Sequence, residues 1–308
     1  MTAKEGQRVG LLGTGRMGSE IAKALAKNGY KVDVWNRTAE KARTLAESEA
    51  AIEAHASADA LLVGCGEAVI VALNSPAPVE DWLAGDESVR QALKGKRLLF
   101  MGALDPQAMA RLQSGLGELG ASVDKVIVFG HPSHVQLGVC NCLFGGTGQD
   151  FWDPMLRCLG PMTVFQSENP QDTCATELLA LLSFFSCMVT TWRTVAAHEL
   201  RGIKIEPVYD VVLDPKDPAS AMRAYFVQSW RPKVTRRNYD DCEYSVDLAA
   251  GEMQHMERFA KEAGVEEDRL VCLKAFRRAQ QMGFSTKDYS AAYEGVLEDV
   301  KANMAAAQ

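Results

Sequence analysis

No stretch of this 308-residue chain approaches about 18 unbroken apolar residues, so nothing in it reads as a membrane span. Among its eight cysteines, at positions 65, 140, 142, 158, 174, 187, 242 and 272, there is no Cys-x-x-Cys pair and no zinc-ligand spacing. Cys140 and Cys142 fall on one face of a strand, but without His or further Cys nearby they do not read as a metal site. Reduced, mostly buried thiols are the expectation, and no metal. Excess positive charge is lacking as well. A net charge of −7 and an isoelectric point near 5.4 argue against nucleic acid or an anionic membrane as partner. The opening residues, Met1 to Arg8, hold no apolar signal core and run straight into a strand, so a cytoplasmic location is the simplest expectation. The remaining composition, 47% hydrophobic and 24% charged, is ordinary and supplies core enough for two domains.

What is present is concentrated near the start. Arg8 to Leu12 reads as an apolar strand and flows into Gly13-Thr14-Gly15-Arg16-Met17-Gly18. A helical stretch follows from Ser19 to Asn28, then a second strand, Lys31 to Trp35. A lone G-x-G-x-x-G is weak evidence, but this one sits in the strand–turn–helix–strand context that makes it a dinucleotide unit. Gly13 permits the tight turn, Gly15 lets the backbone approach a pyrophosphate, and Gly18 lets helix and strand pack closely. The helix N-terminus adds unpaired N–H groups for the phosphates.

The tip of the second strand discriminates between cofactors. An NAD site places an acid there to hold the ribose 2′-hydroxyl. Here the residues are Asn36, Arg37 and Thr38, with Lys41 one turn on. A carboxylate would repel a 2′-phosphate, whereas a guanidinium and a hydroxyl bind it, so NADPH is the expected cofactor. The plainer reading of Arg37 and Lys41, as solvated charges after a strand, carries less weight beside those glycines.

Further along, helical and strand patterns alternate. Lys41 to Ala58 reads helical, Ala68 to Leu73 as a strand, Val79 to Leu93 helical, Arg97 to Met101 as a strand, and Pro106 to about Leu119 helical. Val126–Phe129 and Cys140–Phe144 read as strands around a loop, Gly130–Gly138; Asp150–Cys158 is helical and Met162–Phe165 a last strand. Such alternation predicts an α/β fold with a doubly wound, largely parallel sheet over residues 1–168. From Asp172 to about Arg201 no Gly or Pro occurs, and Leu178 to Val189 is almost wholly apolar. A helix apolar on all sides is buried all round, so residues 169–202 are expected to run between domains and into a subunit interface. Residues 203–308 carry only helical patterns, broken at Pro207, Pro215, Pro218 and Pro232.

The opening motif, continued through Trp35-Asn36-Arg37-Thr38 to Lys41-Ala42, resembles the NADPH-dependent imine reductases and reductive aminases of the β-hydroxyacid dehydrogenase superfamily. Lys287 to Ala292 is similar to that superfamily's last helix. The resemblance implies an N-terminal Rossmann domain, an interdomain helix and an all-α C-terminal domain that intertwines in a homodimer. It also implies hydride transfer from NADPH to a cyclic imine or a carbonyl–amine condensation product. Leu73, Asn74 and Ala103 would then join the cofactor set, with Ala103 standing where the family carries Asn. A polar contact with the nicotinamide end is therefore lost, or made by Asp105.

Departures from the superfamily are as informative. Its hydroxyacid dehydrogenases carry a Lys on the interdomain helix for the alcohol proton, but residues 172–193 contain neither Lys nor Asn. Alcohol chemistry would lack its base there. Imine reductases replace that Lys, and the nearest ionisable candidate is Glu177; matching the Leu179–Ser183 run places Leu178 at that spot, and a one-residue shift places Glu177 there. Buried among apolar residues, Glu177 would have a raised pKa suited to donating a proton near neutrality. On the exposed first turns of the helix it would be an ordinary acid. His131 and Ser133, in a Pro-Ser turn at a strand end, are candidates to face substrate, with His134 alongside. Trp230 and Tyr239 are the nearest equivalents of the family's aromatic pocket wall, although core packing accounts for most aromatics of this region. Two rivals stand beside imine reduction: a hydroxyacid dehydrogenase or carbonyl reductase of the same superfamily, and a non-catalytic NADPH-binding protein.

Overall fold

Strand β1 (Arg8–Leu12) is buried from Val9 onward and takes the middle of an eight-stranded sheet. The computed structural model describes residues 6–202, 204, 230, 232–262 and 271–306. The sheet order is β3-β2-β1-β4-β5-β6-β7-β8, formed by Ile52–Ala54, Lys31–Trp35, Arg8–Leu12, Ala68–Val71, Arg97–Phe100, Ser122–Phe129, Asn141–Gly145 and Met162–Ser167. Helices cover its two faces. Helices α1 (Arg16–Lys27) and α2 (Ala39–Ser48) and the later α8 (Gln149–Leu156) bury Ile21, Leu25, Leu45 and Trp152 on one side. Helices α3 (Ala58–Gly64), α4 (Ala77–Gly85), α5 (Glu87–Leu93) and α6 (Pro106–Gly117) bury Leu61, Val79, Leu93 and Met109 on the other. Apolar residues on both faces of each central strand are what a parallel α/β sheet requires.

Strand β7 runs antiparallel to β6, so the sheet is parallel except for that one pairing. The connection between them is only 130–140, too short for a helical crossover but long enough for the small helix α7 (Pro132–Leu137). Three further details differ from the sequence pattern. The stretch expected to be one helix from Lys41 to Ala58 is α2 and then β3: Glu49 is already extended at φ −144° and ψ 113°, and Ile52 goes on to pair with Val32. Val79 to Leu93 is two helices, because the Asp86 carboxylate caps α5 by accepting from the Val89 N–H at 3.2 Å. Strand β6 begins at Ser122, not Val126, and so carries Asp124 and Lys125 inside the sheet.

The chain divides into two units, Met1–Leu178 and Leu179–Gln308, with the division inside helix α9 (Pro170–Leu200). The second unit is helical among its described residues, with helices Val246–Glu262, Val271–Gln281 and Ala292–Ala306 and one isolated bridge, Ser245 to Asp288. Its core is aromatic: Trp192 meets Trp230 edge to face, and Phe276 packs on both Trp192 and Phe185. Helix α9 is not buried all round. Leu179 is 47% exposed and Ala180 is exposed beside it. The helical patterns read between 205 and 229, with the breaks at Pro207, Pro215 and Pro218, lie outside the described residues. No described helix is long and apolar enough to cross a membrane.

Candidate functional site

The turn after β1 is built on glycine geometry. Gly13 has φ +103°, a conformation side chains disfavour, and its N–H donates to the Trp35 carbonyl at 2.8 Å. A Cβ on Gly18 would press into the Gly13 carbonyl oxygen, so α1 and the turn approach as closely as only glycine allows. Gly15 is different, because a Cβ there would meet nothing within 4 Å. Gly15 is also the N-cap of α1 and supplies no side-chain cap. Thr14 Oγ1 is buried with no hydrogen-bond partner among the described residues. Arg16 is exposed and Met17 packs partly buried on the core. A glycine turn at a helix N-terminus, with room above its central glycine, fits a pyrophosphate.

Asn36 ties this turn to the tip of β2. Its Oδ1 accepts the Thr14 N–H at 3.1 Å, and its Nδ2 donates to the Thr38 carbonyl at 3.1 Å. A carboxylate could make the first bond but not the second. Thr38 is the N-cap of α2 with its hydroxyl unused for capping, and Arg37, Thr38 and Lys41 are all exposed. Three donors around an acid-free strand end fit a 2′-phosphate. The next loops are held together by backbone. Gly102 abuts the Leu73 carbonyl so closely that no Cβ fits; Leu73 is half-buried, Asn74 exposed and Ala103 buried. Asp105 caps α6, its Oδ1 accepting the Ala108 N–H at 2.7 Å.

Glu177 is buried, 7% exposed, on the turns of α9 that belong to the first unit. Its partner was not legible as such in the sequence. Lys125 is wholly buried in β6, with Nζ 2.9 Å from Glu177 Oε2 and donating to the Val126 carbonyl at 2.9 Å. Burial pushes the Glu177 carboxyl above its ordinary range, and Lys125 opposes that push. One turn back, burial raises the Cys174 thiol to about 12, with Glu177 and Asp105 raising it and Lys125 opposing. The missed signal was a lysine directly before the run Val126–Phe129, inside a strand covered on both faces. Such a lysine has to be paired.

His131 is the N-cap of α7, and its N–H donates to His134 Nδ1 at 2.9 Å. Their rings lie 5.8 Å apart, and Ser133 is half-buried between them in sequence. Trp230 and Tyr239 are interior residues of the second unit, 1% and 4% exposed. Trp230 packs on Trp192, while the Tyr239 hydroxyl donates to Glu294 and its ring meets Phe284. Elsewhere Asp33, Glu53 and His55 cluster: the Arg8 guanidinium donates to Asp33 and Glu53, and His55 Nε2 lies 2.7 Å from Asp33 Oδ1.

Comparison with known proteins places these features in context. Residues 8–166 match the family model described as the NAD binding domain of 6-phosphogluconate dehydrogenase. The chain is 28% identical over 209 residues to the cytokine-like nuclear factor N-PAC of Drosophila melanogaster, covering 67% of this chain and 34% of that protein. Over 107 residues it is 33% identical to the N-PAC of Xenopus tropicalis, covering 34% and 20% respectively. The chain thus spans about a third or less of the length of these relatives. Among solved structures, a 3-hydroxyisobutyrate dehydrogenase from Salmonella typhimurium aligns with TM-score 0.78 at 18% identity, over 94% of this chain and 99% of that one. An imine reductase from Myxococcus stipitatus, solved with NADP+, aligns with TM-score 0.63 at 18% identity over the same shares.

Proposed function

The chain belongs to the family of the 6-phosphogluconate dehydrogenase NAD binding domain, and so to that superfamily's nucleotide-dependent oxidoreductases; on that premise we propose that it reduces C=N bonds with NADPH. The substrates are cyclic imines or condensation products of a carbonyl and an amine. When bound, the cofactor supplies hydride. The chain's own residues do the rest. Gly13, Gly15 and Gly18 with the α1 amides hold the pyrophosphate, and Arg37, Thr38 and Lys41 hold the 2′-phosphate. Glu177 stabilises the cationic iminium and donates the proton to nitrogen.

The observation that carries this reading is the buried carboxyl of Glu177, on a helix with no lysine from 172 to 193. A second reading, carbonyl reduction, draws support from Lys125, since an ammonium 2.9 Å from Glu177 could serve an alkoxide as well. The apolar Leu179 and Ala180 left open on α9 support a homodimer as the working form. Oxidation of NADPH with 1-pyrroline, set beside its oxidation with a 2-ketoacid and the reduction of NADP+ with a 3-hydroxyacid, separates the readings. Imine reduction predicts activity on the first alone. Activity confined to the keto or hydroxy compounds transfers the role to the second reading. Tight NADPH binding without turnover of any of them would assign the chain a purely binding role.

A further inference from the structure

Lys125 and Glu177 sit where the surrounding core is Leu, Val and Met, on the face of the sheet packed by α6 and the start of α9. A buried ion pair is a poor device for stability, because desolvating both charges costs about as much as their attraction returns. Its place is better explained by what it does to the carboxyl. Lys125 is fixed from two sides, by the β5–β6 ladder, where it lies opposite Phe100, and by its own bond to the Val126 carbonyl. Glu177, by contrast, has the Lys125 ammonium as its charged neighbour, and Asp105 acts on the Cys174 thiol one turn back on α9. We propose that Lys125 is a positioning residue for Glu177: the strand supplies the cation that the helix lacks, and holds the carboxyl in one place through loss and return of its proton.

The proposal rests on the reading of Glu177 as proton donor. As the substrate nitrogen gains its proton, the Glu177 O–H bond breaks and an N–H bond forms. The carboxylate left behind lies against the Lys125 ammonium, which carries no bond change, and a solvent proton restores the carboxyl. Without Lys125 that carboxylate would stand alone in an apolar core.

The test follows Glu177 directly, by carbon NMR of protein labelled at the glutamate carboxyl carbon, with the signal assigned by its loss in Glu177→Gln. In Lys125→Met the titration midpoint of that signal is expected to rise by about one to three pH units. The alkaline limb of kcat/KM for 1-pyrroline should move with it, since the donor keeps its proton to higher pH. Lys125→Gln, which keeps a donor for the Val126 carbonyl but no charge, is expected to show the same rise, and Lys125→Arg a midpoint close to wild type. An unmoved midpoint in a folded Lys125→Met or Lys125→Gln protein overturns the proposal. So does failure of both to fold, whether or not the apolar pair Lys125→Met/Glu177→Leu folds, because the pair is then structural only. A midpoint that moves in a protein reducing no imine keeps the pairing and removes the proposed reaction instead.

Discussion

The backbone N–H of Thr14 donates to the side-chain oxygen of Asn36, 22 residues away, at 3.1 Å. Through this bond the phosphate-binding turn and the tip of β2 share one rigid geometry, and the amide completes it by donating to the Thr38 carbonyl. Asn36→Asp keeps the acceptor, loses the donor and adds a negative charge beside the expected 2′-phosphate. NADPH affinity is expected to fall by about 10- to 100-fold, roughly 1.4–3 kcal/mol, while NADH affinity holds or improves. Calorimetric titration with both cofactors checks it, and an NADPH preference that survives the change would remove the assignment.

Arg37 and Lys41 are exposed, so neither contributes measurably to the fold. Arg37→Ala is therefore expected to leave the melting temperature unchanged and to weaken NADPH by about tenfold, an ordinary charge-assisted bond, with NADH unaffected. Equal losses for the two cofactors would mean that Arg37 does not meet a 2′-phosphate.

The glycines separate packing from binding. At Gly18 a methyl collides with the Gly13 carbonyl, which is backbone and cannot swing aside. Gly18→Ala should destabilise the protein by about 1–3 kcal/mol, read from urea denaturation. At Gly15, φ is −69° and the space is open, so Ala is tolerated by the fold. Gly15→Ala should keep its stability yet lose NADPH affinity by about tenfold or more, because the methyl enters the cradle. Retained affinity in Gly15→Ala would show that no pyrophosphate lies there.

Much of the first unit was legible in its sequence because its signals are local. Gly13, Gly15 and Gly18 follow an apolar strand directly, and Gly13 and Gly18 each have a steric reason in the fold. Strand β3 was hidden because three residues, Ile52–Ala54, are too few to break a helical pattern, and their strand conformation comes from pairing with β2. The antiparallel β7 was hidden for a like reason, since strand direction depends on where a short loop returns the chain. At the candidate site, Glu177 could be named as a buried acid from its apolar neighbours. Lys125 could not be joined to it, because the sequence between them carries no signal of the contact that β6 and α9 create. Asp105 reads from the sequence as a contact for the nicotinamide end, and the fold also uses its carboxylate to cap α6.

The buried thiols set a fourth expectation. Burial raises Cys142 and Cys174 to about 12 and Cys140 to about 11. At pH 8 their reactive thiolate is then on the order of one part in 10³ to 10⁴. Ellman's reagent should leave these three unmodified in the native protein and react with them once urea unfolds it. Fast native labelling at Cys174 would mean that the Lys125–Glu177 region opens to solvent.

Stability should also carry the mark of the buried pair. Burial raises the Glu177 carboxyl above its ordinary value of 4.5, and Lys125 offsets this only in part. The folded state therefore binds that proton more tightly than the unfolded chain does. Stability from this group is fully present below pH 4.5 and is lost as pH rises through the folded pKa, at up to about 1.4 kcal/mol per pH unit. The double variant Lys125→Met/Glu177→Leu lacks the group, so wild-type stability minus variant stability should decline from pH 4.5 upward. Near pH 8 the variant should match the wild type or exceed it by about 1–4 kcal/mol, the usual result of replacing a buried pair with well-packed apolar residues. Urea denaturation at each pH from 4 to 8 measures the difference. A difference that stays flat, or grows with pH, would mean that Glu177 enters the fold already ionised and is no reservoir for a proton.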